Sequence, residues 1–534
     1  MRRKTRSTFC CFALPALVLA ACILAPGLAQ AQMTTTGIDC SQIASLHLLQ
    51  QENMRAGLAL MECGVIPRPD AAGEGDEVIN DTLPPNVLVS NRSCSSGSSC
   101  TKSENMVYKS TRVGDNTVVV NYNDHNGSNY SGTSFSTDGG ATFTQILPPP
   151  FASGHGENFG DPIVVFNSRL NKWFAGDLVS GGNCGGQGIG MWSSNDGQTW
   201  TTGACVHSSS ADDRESLWVD NNPFSRKYGR MYVSYNNFNI GGGALFVAYS
   251  DDGNSWTQVQ LSNNFIRDVQ ITGTPPGAPA PNAGFISTVF VAGMDELGGG
   301  LGTRQNYMFR STDGGQHWSS VTVGSAFNAV GDGVCASNSY FADVFPIWRH
   351  QGWGEPGVGA NGVVHYAYAG KGVAQNDHGD IYYTRSADNG LTWSTPIVLN
   401  DDVGGQFKTQ WMPSLSVNYN PNSFQPQSKV TVSWYDRRQA TSACNIASDP
   451  GCSYMRYGIQ SPDNGVTWGS NIQISDMLIP QPTQNDGGVQ PCYAGDYDYD
   501  TAVGNTAFVT WTDGRVSVGG VQVQNVELDA VPEP

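Results

Sequence analysis

Ser136-Thr137-Asp138-Gly139-Gly140-Ala141-Thr142-Phe143 sets a pattern that the chain repeats five more times. The pattern, S-x-D-x-G-x-T-(W/F), returns at Ser311–Trp318, Ser386–Trp393 and Ser461–Trp468. Two looser copies are Ser193–Trp200, with Asn195 in the Asp place, and Tyr249–Trp256, with Tyr249 in the Ser place. The closing aromatics fall at 143, 200, 256, 318, 393 and 468, so successive copies lie 57, 56, 62, 75 and 75 residues apart. Such a period holds four short strands and their turns, and marks a repeat architecture. The chemistry of the element is local. Asp and Ser side chains bond backbone N–H groups of a tight turn, Gly supplies positive φ, and the aromatic folds back as a packing anchor. Asp138, Asp251, Asp313, Asp388 and Asp463 are therefore assigned to turn stability and not to catalysis.

Composition agrees with that reading. Of 534 residues, 64 are Gly and 28 Pro, and only 14% are charged, against roughly 25% in ordinary domains. With 39% hydrophobic residues the chain can fill a large core, which excludes wholesale disorder. Many turns, many aromatics and few charges favour an all-β class. The net charge of −18 argues against a nucleic-acid partner held by phosphate neutralisation.

The repeated turns resemble the Asp-box (BNR) repeats of the sialidase-like β-propeller superfamily, over about residues 85–530. The resemblance implies a ring of four-stranded antiparallel blades, with each box joining the two outer strands of its blade. A softer repeat counts the blades. Apolar strand pairs begin near Glu104, Asp161, Glu215, Asp268, Asp343, Met412 and Asp496, giving seven pairs for six boxes. Seven blades are favoured, with Val87-Leu88-Val89 supplying the missing outer strand of the last. In a six-bladed ring one pair would be an insertion.

Ahead of the ring, residues 1–31 read as a secretory signal peptide: Arg2, Arg3, Lys4 and Arg6, a short apolar run, then Ala29-Gln30-Ala31. Leu19-Ala20-Ala21-Cys22 is the rival, a lipobox that would leave a lipid anchor at Cys22. The expected product is thus secreted or periplasmic, or alternatively a surface lipoprotein, with no transmembrane span. Without residues 1–31 the charge becomes −22 and ten cysteines remain. Close neighbours pair as Cys94–Cys100, Cys184–Cys205 and Cys444–Cys452, leaving Cys335–Cys492 as a longer link. Cys40 and Cys63 fit less well, because the apolar spacing from Ile43 to Met61 is helical. A straight helix would hold them roughly 30 Å apart, so it must break near Gly57 or the two must pair elsewhere. Residues 32–82 thus form a helical cap and an acidic linker, and 83–530 the propeller.

In an antiparallel meander the start of each inner strand and the end of the next emerge on one face, opposite the box turns. That face should gather Asp161, Glu215, Asp268, Asp343 and Asp496, with Glu104, Asp124, Asp177, Asp295 and Asp436 beside them. Tyr497, Arg437 and Arg515 complete the candidate catalytic set, with Arg214 and Arg349 as further cations. In Asp496-Tyr497-Asp498-Tyr499-Asp500 a strand would put three carboxylates on one face, and calcium is the cation such a group would hold at Asp496, Asp498 and Asp500. No cofactor is otherwise required. A sialidase, the resemblance implies, needs three arginines on the substrate carboxylate, an Asp acid/base and a Tyr–Glu nucleophile. Its Arg-Ile-Pro motif is missing, and Met106-Val107-Tyr108 in the first inner strand carries no arginine. The expected function is therefore a glycan-directed propeller, a glycoside hydrolase if catalytic, with a carbohydrate- or protein-binding scaffold as the alternative.

Overall fold

The structure, a computed structural model, describes residues 33–534 apart from 69–76, 80–85, 91–100, 127–128, 147–156, 280–283, 346–347, 406, 421–426, 441–451, 483–489 and 519–520. The segment read as a signal peptide, with Cys22, and Cys94, Cys100 and Cys444 lie outside the described residues.

The fold is all-β, built from consecutive antiparallel sheets. The first contains Lys102–Lys109, Val118–Asn126, Asn129–Ser136 and Thr144–Ile146; the second, Ile163–Asn167, Lys172–Gly181, Gly186–Ser194 and Trp200–His207. The third runs from Asp212–Val219 to Thr257–Phe265 and the fourth from Ile271–Gly273 to Ser319–Asn328. The fifth starts at Glu355–Val358, the sixth at Gln410–Tyr419 and the last at Thr501–Val503. The first strand of each sheet packs on the first strand of the next, and Thr501–Val503 returns to Lys102–Lys109, so these inner strands close a cycle. The last sheet takes its outer strand from the chain's other end: Val87 pairs with Leu528 and Leu88 with Glu527. Closure of this kind leaves no open first-to-last seam.

The repeated turns form as local chemistry requires. Ser136 Oγ donates to Asp138 at 2.7 Å and accepts the Gly140 N–H at 2.9 Å, while Thr142 Oγ1 donates to Asp138 at 2.6 Å. In the two looser copies the assignment shifts by one residue. Ser194 with Asp196, and Ser250 with Asp252, fill the Ser and Asp places. These turns are one residue shorter before the Trp, so counting back from Trp200 and Trp256 slips by one. Asp251 is thereby released from the turn, and bonds Arg230 instead at 2.5 and 2.7 Å.

Two further expectations are corrected. Asp343 does not open a strand pair of the ring. It lies in a small three-stranded sheet of Gly333–Val334, Ala342–Phe345 and Trp348–Arg349, inserted before the true inner strand Glu355–Val358. The cap's helix is short, Met54–Glu62, and Gly57 lies inside it. The chain turns instead between Ile43 and Asn53, whose side chain caps the helix through the Ala56 N–H at 2.7 Å. That reversal brings Cys40 and Cys63 together with Cα atoms 5.6 Å apart, in a disulfide. Cys184–Cys205 and Cys335–Cys492 are also joined. These three disulfides among the described residues fit a non-cytoplasmic, oxidising compartment. No described helix is long and apolar enough to cross a membrane.

Candidate functional site

The starts of the inner strands share an unusual backbone. Glu104, Asp161, Arg214, Asp268 and Met412 all have positive φ, between 47° and 66°. Each such non-Gly residue costs about 1–3 kcal/mol. At Glu104 and Arg214 the ladder skips a register step, which marks a bulge that bends the strand start.

The helical cap fills this mouth. Residues Met54–Met61 are all buried, and the helix shares one apolar core with Ile163, Phe166 and Tyr497. Glu52, just before the helix, places its carboxylate between two arginines: Oε2 lies 2.5 Å from Arg214 Nη1 and Oε1 2.6 Å from Arg267 Nε. A third, Arg349, donates to the Glu52 carbonyl at 3.0 Å. The backbone N–H groups of Glu52 and Asn53 both donate to Asp213 at 3.2 Å. Arg55 donates to the Asp212 carbonyl at 2.6 Å. A cap carboxylate thus sits between Arg214 and Arg267, with Arg349 on the backbone carbonyl of the same residue.

Each arginine has a second anchor. Arg267 reaches Asp213 at 2.5 Å, Arg214 lies 3.8 Å from Asp268, and Arg349 grips Asp496 with two bonds of 2.6 and 3.1 Å. Trp353 and Tyr497 flank the Arg214 guanidinium at 4.6 and 5.1 Å from their ring centres. The inserted sheet carries Arg349, and Cys335–Cys492 ties that sheet to the segment leading into Asp496. The disulfide therefore fixes the third cation against its carboxylate.

The acids are pushed toward their neutral forms. Loss of water raises the Glu52 carboxyl to about 7, although Arg267 and Arg214 pull it down. Asp268 rises to about 6 through burial, against Arg214. Glu104, Asp161 and Glu215 rise well above the usual carboxylate range, first by burial and then by neighbouring carboxylates. Both Glu215 oxygens are buried without a hydrogen-bond partner, as is the Tyr497 hydroxyl. An unpartnered, desolvated carboxyl group is costly as an anion and much less so as an acid.

The structure brings Asp161, Glu215, Asp268, Asp496 and Tyr497 together beneath the cap. Asp161 accepts the Arg214 N–H at 2.8 Å, and Asp268 accepts the Tyr366 hydroxyl at 2.9 Å. Asp343 pairs across the inserted sheet with Arg349. Arg515 is held by Asp513 and Asp476 at 2.9 and 2.8 Å, and the Arg437 N–H bonds Thr409 at the start of the sixth sheet. Of the three carboxylates considered for calcium, Asp496 belongs to Arg349. Asp498 and Asp500 lie 3.4 and 3.9 Å from Arg456. Among the described residues no group of three or more His, Cys, Asp or Glu is arranged to hold a metal ion.

Arg267, Asp213 and Glu52 were not legible as site residues. One signal existed: Arg214-Glu215 and Arg267-Asp268 repeat an Arg-acid dipeptide at two successive strand starts. Nothing comparable marked Glu52, which lies outside the repeat.

No protein-family model matches the chain, and no curated protein matches it in sequence. Solved structures do resemble it. A Dyadobacter fermentans protein of unknown function is 12% identical with a TM-score of 0.39, over 86% of this chain and 99% of that one. The Penicillium chrysogenum alpha-L-arabinanase bound to arabinobiose is 10% identical with a TM-score of 0.36, over 84% and 98%. The Aleuria aurantia lectin, described as a six-bladed β-propeller that recognises fucose, is 13% identical with a TM-score of 0.35, over 72% and 97%. Superposition at these scores is loose. The architecture here rests on strand pairing and the cycle of inner strands.

Proposed function

We propose that the chain is an exported, seven-bladed, sialidase-like propeller that recognises a carboxylate-bearing glycan at its charged mouth, and that its own N-terminal cap holds the mouth closed. The observation that carries this reading is the Glu52 carboxylate bonded by Arg214 and Arg267, with Arg349 on the same residue's carbonyl. Two guanidinium groups on one carboxylate match what a ligand carboxylate demands, and Arg349 stands beside them on the backbone. The arginines come from the third sheet, from the lead-in to the fourth and from the inserted sheet. This placement differs from the first-blade arginine of the missing Arg-Ile-Pro motif. Any catalytic use of Asp161, Glu215, Asp268, Asp496 and Tyr497 requires the cap to leave, because all five are buried beneath it.

A second reading has its own support. The Cys40–Cys63 disulfide closes the cap on itself, which suits a permanent plug on a non-catalytic scaffold. A glycan array probed with the wild-type chain and with Glu52→Ala separates the two. Acidic glycans captured selectively by Glu52→Ala support the masked site. A variant that folds and captures no acidic glycan leaves the scaffold.

A further inference from the structure

The channel that the cap closes at one end is open at the other. On the face of the repeated turns the inner strands surround a cavity of about 300 Å³, at the lower end of the size range of small-molecule sites. Tyr108, Trp218 and Tyr419 stand on its walls, with Gln270, Glu355 and Ser416 among the polar groups. The Tyr497–Tyr499 stack, with ring centres 4.6 Å apart, links its floor to the arginine cluster: Tyr499 lines the cavity and Tyr497 flanks Arg214.

The chemistry of the lining narrows the ligand. No Lys, Arg or His is among the described residues that line it, so nothing there would hold a phosphate or carboxylate. Its two carboxyl groups are already engaged. Glu355 Oε2 accepts the Ser414 hydroxyl at 2.7 Å and the Leu415 N–H at 2.8 Å; Asp500 accepts the Ser433 hydroxyl at 2.6 Å and lies 3.9 Å from Arg456. Asp500 thus has a cation beside it, and Glu355 has one of its two oxygens bonded by the protein. Three polar atoms on lining residues do lack partners: Gln270 Oε1, Ser416 Oγ and the Tyr499 hydroxyl, on residues 5%, 5% and 4% exposed. Buried polar atoms without partners are uncommon and need an explanation. Turned toward the cavity, Gln270 and Ser416 would meet hydroxyl groups of a ligand.

Aromatic walls supply the complementary surface. Trp218 packs on Tyr232 at 5.6 Å between ring centres, and its ring lies so close to Gly273 that a Cβ there would meet it at 2.5 Å. Gly273 thus makes room for the edge of the indole against the neighbouring strand. We propose that this cavity is a binding site for a neutral polyhydroxylated ring of monosaccharide size, held by Gln270 and Ser416 and bordered by Trp218, Tyr108 and Tyr419. The site is distinct from the capped mouth and does not depend on the cap leaving.

The test is calorimetric titration of the full mature chain with a panel of neutral pentoses, hexoses and 6-deoxyhexoses, with glucuronate and methylammonium as charged controls. At least one neutral sugar should bind the wild type, and the charged controls should not. Gln270→Leu should weaken binding by about tenfold or more. Ser416→Ala should also weaken it while leaving the melting temperature unchanged, since the Ser416 hydroxyl has no partner to lose. If Gln270→Leu fails to fold, Ser416→Ala still decides. Glu52→Ala should leave neutral-sugar binding unchanged, so failure here and failure of the masked mouth are read separately. No binding by any neutral sugar, equal binding of a charged control, or binding indifferent to Ser416→Ala would overturn the proposal.

Discussion

Glu52 and Arg214 are 162 residues apart in sequence, yet their side chains meet at 2.5 Å inside the ring. Arg267 holds the other oxygen of the same carboxylate at 2.6 Å. The cap is therefore fastened by charge at the very point where the ring's own cations converge. Removing the carboxylate leaves two buried guanidinium groups with only part of their compensation, through Asp213 and Asp268. Loss of one partner of a buried pair costs about 3–5 kcal/mol. Glu52→Ala should thus melt well below the wild type in chloride, and acetate or formate should restore part of the difference. Equal melting in acetate and chloride would show that the cluster does not accept a free carboxylate.

Arg349 offers a contrasting case, since it touches the cap through a carbonyl and the ring through a carboxylate. Arg349→Ala should destabilise the chain by about 3–5 kcal/mol in a urea titration, because Asp496 would remain buried without its cation. Arg349→Lys keeps the charge and loses the two-pronged grip, so it should fall between the two. A Lys variant as unstable as the Ala variant would mean that geometry alone matters.

The Cys40–Cys63 disulfide spans 23 residues of the cap. A loop of that size constrains the unfolded chain by about 3 kcal/mol. A Cys40→Ser, Cys63→Ser double variant should show faster hydrogen exchange in Met54–Glu62, with the inner strands unchanged. Uniformly faster exchange would indicate that the cap is integral to the ring's stability.

Acidity should stabilise this protein. Asp268, at about 6, and Glu52 and Asp498, each at about 7, keep protons that the unfolded chain loses near pH 4; burial raises Glu104, Asp161, Glu215 and Glu355 in the same direction. The folded state thus binds more protons, and stability falls as pH rises through these values, by about 1.4 kcal/mol per pH unit for each net proton. Buried His350 and His365 are held neutral by loss of water and act in the opposite direction below about pH 6.5. The clear window is above that value. The melting temperature should drop between pH 6.5 and pH 8.5. A rise across that interval would contradict the upward shift of these buried carboxyl groups.

The ring was largely legible because its determinants are local and repeated. Ser136, Asp138 and Gly140 specify a turn by themselves, and Val87-Leu88 completes a sheet that otherwise lacks an outer strand. The errors arose where one residue was dropped or a segment inserted. Asp252 takes the place given to Asp251, and Glu355 takes the place given to Asp343. The mouth was legible only on the ring's side. Asp161, Glu215 and Asp268 lie at strand starts that a repeat can place. Glu52 comes from a cap with no repeat, and periodicity does not show which residue such a segment buries. The cap's own reversal before Asn53 was hidden too, because helical spacing continues through residues that turn instead.

The most direct test of the masked mouth is a crystal structure of Glu52→Ala soaked with the acidic sugar that the variant binds best. The sugar carboxylate should lie between Arg214 and Arg267, within hydrogen-bond reach of both. Electron density showing only water between those two arginines, with the sugar bound elsewhere, would contradict it.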